Sequence, residues 1–203
     1  YKLIGKAYAE VEKKEPWCHD VIAVADIAVY TTYTEENQDK CPDIGANRML
    51  LEDHYLYNII DNECDFSDYK VIIFPDCVEF DKELSEKTNA YLEKGGKIML
   101  SGKSGLTDRG EFFRNFGVKF CGENPMNNTY FVPAYDMKPN GIAPYLMYTH
   151  GYFINTDSRA ETVGFMQNAY FNRSFRHFCS HTTTPNEPES FMPGAVISGG
   201  IAY

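Results

Sequence analysis

Hydrophobic and polar positions along this chain fall into two regimes. In the first, short apolar bursts alternate with helix-spaced stretches. LIGKAYAEVEKKE, residues 3–15, places Leu3, Ile4, Ala7, Tyr8 and Val11 at helical spacing, and Pro16 ends it. DVIAVADIAVY, residues 20–30, is a near-continuous β-branched run, as expected of a strand covered on both faces. Asp43 can cap a helix reaching Asp53 or Tyr55, with Ala46, Met49 and Leu50 inward. YNIID (57–61) and KVIIFPD (70–76) read as further strands, with NECDFSDY a turn between them. Asp81 then caps a helix whose inner face carries Leu84, Thr88, Tyr91 and Leu92. Glu83 and Lys87 are spaced for an i,i+4 pair, and Gly95 suits a left-handed helix end. KIMLS, residues 97–101, is the next buried strand.

This alternation predicts parallel strands joined by right-handed crossovers, in a flavodoxin-like, doubly wound α/β sheet. From about residue 118 the second regime begins. VKFC, TYFVPAY, YLMYTHGYFI, TVGFMQNAYF and GAVISGGIAY are short aromatic-rich strands separated by Pro, Asn and Gly. They predict antiparallel hairpins packed at one side of the sheet. The organisation expected is a connector helix from a preceding domain (1–16) and one domain (17–203). That domain divides into a parallel core (20–120) and a β-rich remainder (121–203). The chain opens at Tyr1 and closes on GGIAY, within an expected strand, so it reads as a piece of a longer polypeptide.

Composition narrows the function classes. The 203 residues carry a net charge of −10, the wrong sign for nucleic acid or an anionic membrane surface. No apolar run approaches the ~20 residues of a membrane span. A soluble protein is expected, with the cytoplasm favoured over a secreted setting. Six cysteines lack any CxxC spacing and read as free thiols, not disulfide staples or zinc knuckles. NNT (127–129) and NRS (172–174) match the glycosylation sequon, which matters only in a secretory pathway.

Several segments have the outward form of a site. GGKIMLSGKSG, residues 95–105, resembles a phosphate loop in composition. Its spacing is wrong, because Lys97 stands where the first glycine belongs, and Gly95 and Gly96 precede the strand instead of following it. Ser104 lacks the G-x-S-x-G pattern of a nucleophile elbow, since Leu106 stands where the second glycine belongs, and Cys77 after the third strand has no glycine beside it. SFRHFCSH, residues 174–181, is the sharpest cluster. His177, Cys179 and His181 would share a face if the segment were a strand, but no fourth zinc ligand follows. Arg173, Arg176, His177 and His181 could instead form a ligand-facing rim. Neither a metal site nor a cofactor site is expected. The paired carboxylates Glu35–Glu36 and Glu52–Asp53 are adjacent in sequence, not set across a sugar.

The run from Met49 to Gly105 resembles the β-galactosidase trimerisation domain, the middle domain of certain β-galactosidases. Asp61, Tyr69, Pro75, Asp76, Tyr91, Gly95 and Gly96 fall on that family's pattern, and FGV at 116–118 and the closing GAVISGGIAY are similar. The resemblance implies a class I glutamine amidotransferase-like fold without a catalytic triad. It also implies a neighbouring catalytic barrel in the same chain, and a homo-oligomer. The function it implies is a non-catalytic oligomerisation or accessory domain of a glycoside hydrolase in carbohydrate metabolism. SFRHFCSH departs from the pattern and could wall the neighbouring sugar site, in contact with an oligosaccharide. Two rivals stay open: an amidotransferase-like or sugar-processing enzyme using Cys77 or the His177/His181 group, and a carbohydrate-binding module.

Overall fold

The computed structural model describes residues 1–33, 42–134, 144–180 and 182–203. Its helices are α1 (Lys2–Lys14), α2 (Asp43–Glu52) and α3 (Lys82–Glu93). Its strands are β1 (Ile27–Tyr30), β2 (Tyr57–Ile60), β3 (Val71–Phe74), β4 (Lys97–Leu100), β5 (Val118–Glu123), β6 (Thr129–Pro133), β7 (Tyr145–Met147), β8 (Tyr152–Thr156), β9 (Glu161–Asn168), β10 (Met192–Ser198) and β11 (Ile201–Ala202). Nine strands form one sheet in the order β2-β1-β3-β4-β11-β10-β9-β6-β7, and β5 pairs with β8 in a second, small sheet.

The β2-β1-β3-β4-β11 half is parallel throughout, the strand order of a flavodoxin-like fold. From β11 to β7 every pairing is antiparallel. Most of the aromatic second half therefore extends the same sheet instead of packing beside it. The expected strand at 20–30 shortens to Ile27–Tyr30, because both neighbours begin opposite Ile27, at Tyr57 and Val71. Val21, Ile22 and Val24 are left exposed.

α3 forms as its sequence predicts. The Asp81 carboxylate accepts from the Leu84 N–H at 2.8 Å. At the other end Gly95 takes φ +91°, and the Gly95 and Gly96 N–H groups bond to the Leu92 and Tyr91 carbonyls. Leu84, Thr88 and Tyr91 are buried. Glu83 and Lys87 do not pair. Glu83 accepts from Asn62, while Lys87 donates to the Asn62 and Cys64 carbonyls, tying the helix to the turn after β2. α2 begins at Asp43 with Pro42 as its cap, so Asp43 caps nothing. Its buried carboxylate instead accepts from the Thr32 N–H at the end of β1. Met49 faces solvent rather than inward.

The core lies on one face of the sheet. Ala28, Ile60, Ile72, Phe74, Ile98, Leu100 and Ile201 point to that face and are almost fully buried. α3, the 3-10 turn Phe66–Asp68, and Val118 and Ile154 of the small sheet cover them. Phe74 stands at the centre, with ring centroids 5.2 Å from Tyr30, 6.2 Å from Phe66 and 5.0 Å from Phe80. On the opposite face, strand register sets Ile59, Val29, Ile73, Met99, Ala202 and Ile197 in one row across six strands. Within that row Val29 is buried, but Ile59 is 57%, Met99 45% and Ile197 45% exposed. α1 buries no residue at all.

The chain's last residue locks β11 to the parallel half. The Tyr203 hydroxyl donates to the Gly102 carbonyl at 2.7 Å, and burial pushes its ionisation well above the usual tyrosine range.

A Cβ on Gly96 would fall inside the Tyr91 ring, whereas one on Gly45, within α2, meets nothing within 4 Å. Gly96→Ala is therefore expected to cost about 1–3 kcal/mol, and Gly45→Ala to add about 0.5–1 kcal/mol, read by chemical denaturation. A folded-state ionisation raised above the unfolded value keeps its full stabilisation below the unfolded pKa, about 10 for tyrosine, and loses it as pH rises further. Stability is accordingly expected to fall above about pH 10. Tyr203→Phe should lower stability at neutral pH by about 1 kcal/mol through the lost hydrogen bond and make the alkaline fall shallower.

Candidate functional site

Open parallel sheets bind ligands at the carboxyl ends of their strands, near the point where strand order reverses. Here that edge is made of the turns after β3 and β4. Asp76 follows β3 with φ +40°, a conformation rare for a non-glycine residue. Its N–H donates to Ser101 Oγ at 3.0 Å, and the Ser101 hydroxyl donates to Asp76 Oδ1 at 2.6 Å. The Asp76 carbonyl accepts from the Lys103 N–H at 2.6 Å. A Cβ on Gly102 would stand 2.8 Å from that carbonyl, so only glycine allows the two turns to approach this closely.

The same bonds account for GKSG. The Lys103, Ser104 and Gly105 N–H groups donate to the carbonyls of Asp76, Ser101 and Val78. The buried Ser104 hydroxyl accepts from the Val78 N–H at 3.0 Å. A phosphate loop needs those N–H groups free to surround an anion, and here they brace one turn against the next. Ser101 is held by a carboxylate, not by an imidazole that could take its proton. Cys77 is exposed at the strand tip. Lys103 pairs with Glu123 at 2.6 Å; each partner strengthens the other's charge, raising the lysine pKa and lowering that of the carboxyl group.

Residues 174–180 form a loop, not a strand, so the alternation does not align His177 with Cys179. Asn172 anchors the start of the loop by accepting from the Asn127 N–H and donating to the Pro125 carbonyl, both at 2.7 Å. A turn follows, in which the Ser174 N–H donates to the His177 carbonyl at 2.8 Å. The His177 ring stacks on Phe171, with centroids 3.6 Å apart and planes 14° apart. Arg173 reaches the Thr182 carbonyl and lines a shallow cavity of about 500 Å³ with Ser174, Phe175 and Phe178. Arg176 is exposed, and His181 lies outside the described residues. Of the four expected rim residues, the cavity thus takes Arg173, while His177 is turned onto Phe171. The sequence reading passed over Phe175 and Phe178, which are 96% and 64% exposed. Their signal was two aromatic rings in a polar, unpatterned segment. Among the described residues no group of three or more His, Cys, Asp or Glu could hold a metal ion. No helix among them is long and apolar enough to cross a membrane.

Comparison with known proteins follows these lines. Residues 48–117 match the family model of the β-galactosidase trimerisation domain. The α-L-fucosidase isoenzyme 2 from Paenibacillus thiaminolyticus is 39% identical over 100% of this chain, with a TM-score of 0.85; the match covers 32% of that enzyme. The β-galactosidase from Bacillus circulans sp. alkalophilus shares the fold at a TM-score of 0.60 and 16% identity, over 91% of this chain and 29% of that one. A ThuA-like protein from Bacteroides uniformis does so at a TM-score of 0.54 and 16% identity, over 91% of this chain and 84% of that one. A search of curated proteins returns no match. The chain therefore spans about a third of the length of the two glycosidases. Residues 48–117 carry the sequence pattern of the β-galactosidase trimerisation domain family, and the chain shares its fold with the β-galactosidase from Bacillus circulans sp. alkalophilus.

Proposed function

We propose that these 203 residues act as a non-catalytic assembly and accessory domain within a longer, β-galactosidase-like glycoside hydrolase. The observation that carries this reading is the open apolar row of Ile59, Met99 and Ile197. Parallel sheets are stable when both faces are covered, and an exposed row of this kind marks a surface that meets protein. The row is the oligomer contact. α1, with Leu3, Ile4, Tyr8 and Val11 all exposed on one stripe, is the connector whose apolar side lies on the preceding catalytic domain. The saturated turns at the carboxyl edge of the sheet fit a domain whose own edge carries no reaction.

The loop at 171–180 has a second part in the same reading. Arg173 with Phe175 and Phe178, and the neighbouring Arg176 and His177, supply cations and flat rings, the chemistry that holds sugar hydroxyls and sugar faces. This loop walls the neighbouring sugar site.

Expressed alone, the 203-residue chain is expected to turn over no aryl galactoside or fucoside. In the longer enzyme, Met99→Lys with Ile197→Lys should shift sedimentation from oligomer to single subunit while circular dichroism stays unchanged. An oligomer that survives both charges refutes the assignment of that face. In the same enzyme, Arg173→Ala and Phe178→Ala should raise KM several-fold with little change in kcat. Unaltered kinetics in both variants would remove the loop from the substrate site.

A further inference from the structure

Among the described residues Asp43 is the one carboxylate that the fold buries, at 6% exposed. It opens α2, beside the carboxyl end of β1. In a sheet ordered β2-β1-β3 the chain runs outward to both sides of β1. This strand end is therefore the point where strand order reverses, the place at which such sheets bind ligands. The turns after β3 and β4 use their donors on one another, whereas the end of β1 is left with an acceptor that nothing meets.

The Asp43 carboxylate is poorly served. Oδ2 accepts from the Thr32 N–H at 3.3 Å and from the Thr31 hydroxyl at 3.4 Å, both long for a hydrogen bond. Oδ1 is buried and has no hydrogen-bond partner. No Lys, Arg or His among the described residues stands within ion-pair distance of it. The start of a helix favours a negative charge, but that return is small beside the cost of taking a carboxylate out of water.

The groups around it are oxygens. Besides Thr31 Oγ1, the Thr32 hydroxyl lies alongside, accepting from the Asp43 N–H at 3.5 Å. One carboxylate and two threonine hydroxyls do not make the His, Cys and carboxylate cluster of a zinc centre, but charged and neutral oxygens together are what a hard cation takes. The spacing agrees. A separation of 3.4 Å between Thr31 Oγ1 and Asp43 Oδ2 is that of two ligands at right angles on an ion about 2.4 Å from each. Around magnesium, at about 2.1 Å, the same two ligands would stand about 3.0 Å apart.

We propose that Asp43 and the Thr31 and Thr32 hydroxyls form a site for a hard cation of calcium size, calcium or sodium, which neutralises the buried carboxylate and fastens α2 to the end of β1. The proposal is independent of the assembly reading, because none of the three residues belongs to the open row, to α1 or to the 171–180 loop.

Calorimetric melting of the 203-residue chain, which carries its own core, tests it after dialysis against a chelator, in CaCl2, MgCl2, NaCl and KCl at matched ionic strength. At about ten times its Kd the cation should raise Tm by about 3–6 °C. The expected result is a rise with calcium beyond magnesium, or with sodium beyond potassium, and the pair that separates identifies the ion. Asp43→Asn keeps the shape, removes the charge and should abolish the difference. Asp26→Asn, at an exposed carboxylate paired with Lys70, should preserve it. If circular dichroism shows Asp43→Asn unfolded, Thr31→Val decides instead, since it leaves the carboxylate and should weaken cation binding several-fold. Four salts acting alike would be screening alone and overturns the proposal. So does a Tm that no salt moves, which leaves the charge to a proton, or a cation difference that survives the deciding variant unchanged.

Discussion

The packing of Phe74 against Tyr30, Phe66 and Phe80 is the contact on which the rest of the structure depends. These rings are nearly or half buried on one face of the sheet, and Phe66 also meets Tyr91 edge-on at 6.1 Å. Burial of each such ring contributes roughly 1.5–3 kcal/mol, and edge-to-face pairing adds to it. Because α3, the Phe66 turn and the β5–β8 layer all gather on this side, the core is built on one face. The other face receives far less cover. The open row there follows from where the aromatic mass was placed.

The carboxyl edge shows a second constraint, in backbone rather than side chains. Asp76 at positive φ and Gly102 in close approach let two strand-end turns exchange hydrogen bonds. Every N–H in Lys103-Ser104-Gly105 finds a carbonyl. Those three donors are therefore not available to an anion or a developing oxyanion. The strain at Asp76 is thus explained by a structural brace.

What could be read from the sequence tracks the range of the forces involved. α3 was legible from end to end because its determinants are local: the Asp81 cap, the spacing of Leu84, Thr88 and Tyr91, and the Gly95 closure. The parallel, flavodoxin-like half of the sheet followed from alternation and crossover handedness. What escaped was decided by partners far along the chain. Val21, Ile22 and Val24 look like strand residues, but nothing pairs with them, since β2 and β3 start opposite Ile27. Lys87 chose the carbonyls of Asn62 and Cys64 over its helical neighbour Glu83. At the 171–180 loop, attention to His177 and Cys179 rested on an alternation that only a strand would have turned into a shared face. The rings that line its cavity, Phe175 and Phe178, had no periodic signal to mark them.

The family match stops at residue 117, while the sheet runs on through β11 at Ile201–Ala202. β11 enters between β4 and β10, parallel to one and antiparallel to the other. The two regimes of the sequence are thereby joined in one sheet. In the first half, turn chemistry demands particular residues: Asp76 at its brace, Gly95 at positive φ, Gly96 under Tyr91. The second half makes demands of the same kind: Gly164 lies under the Phe131 ring, Gly194 against the Phe165–Met166 backbone, and Gly199 and Gly200 take positive φ between β10 and β11. The Arg173–Phe178 loop lies between β9 and β10, where no strand pairing fixes its side chains.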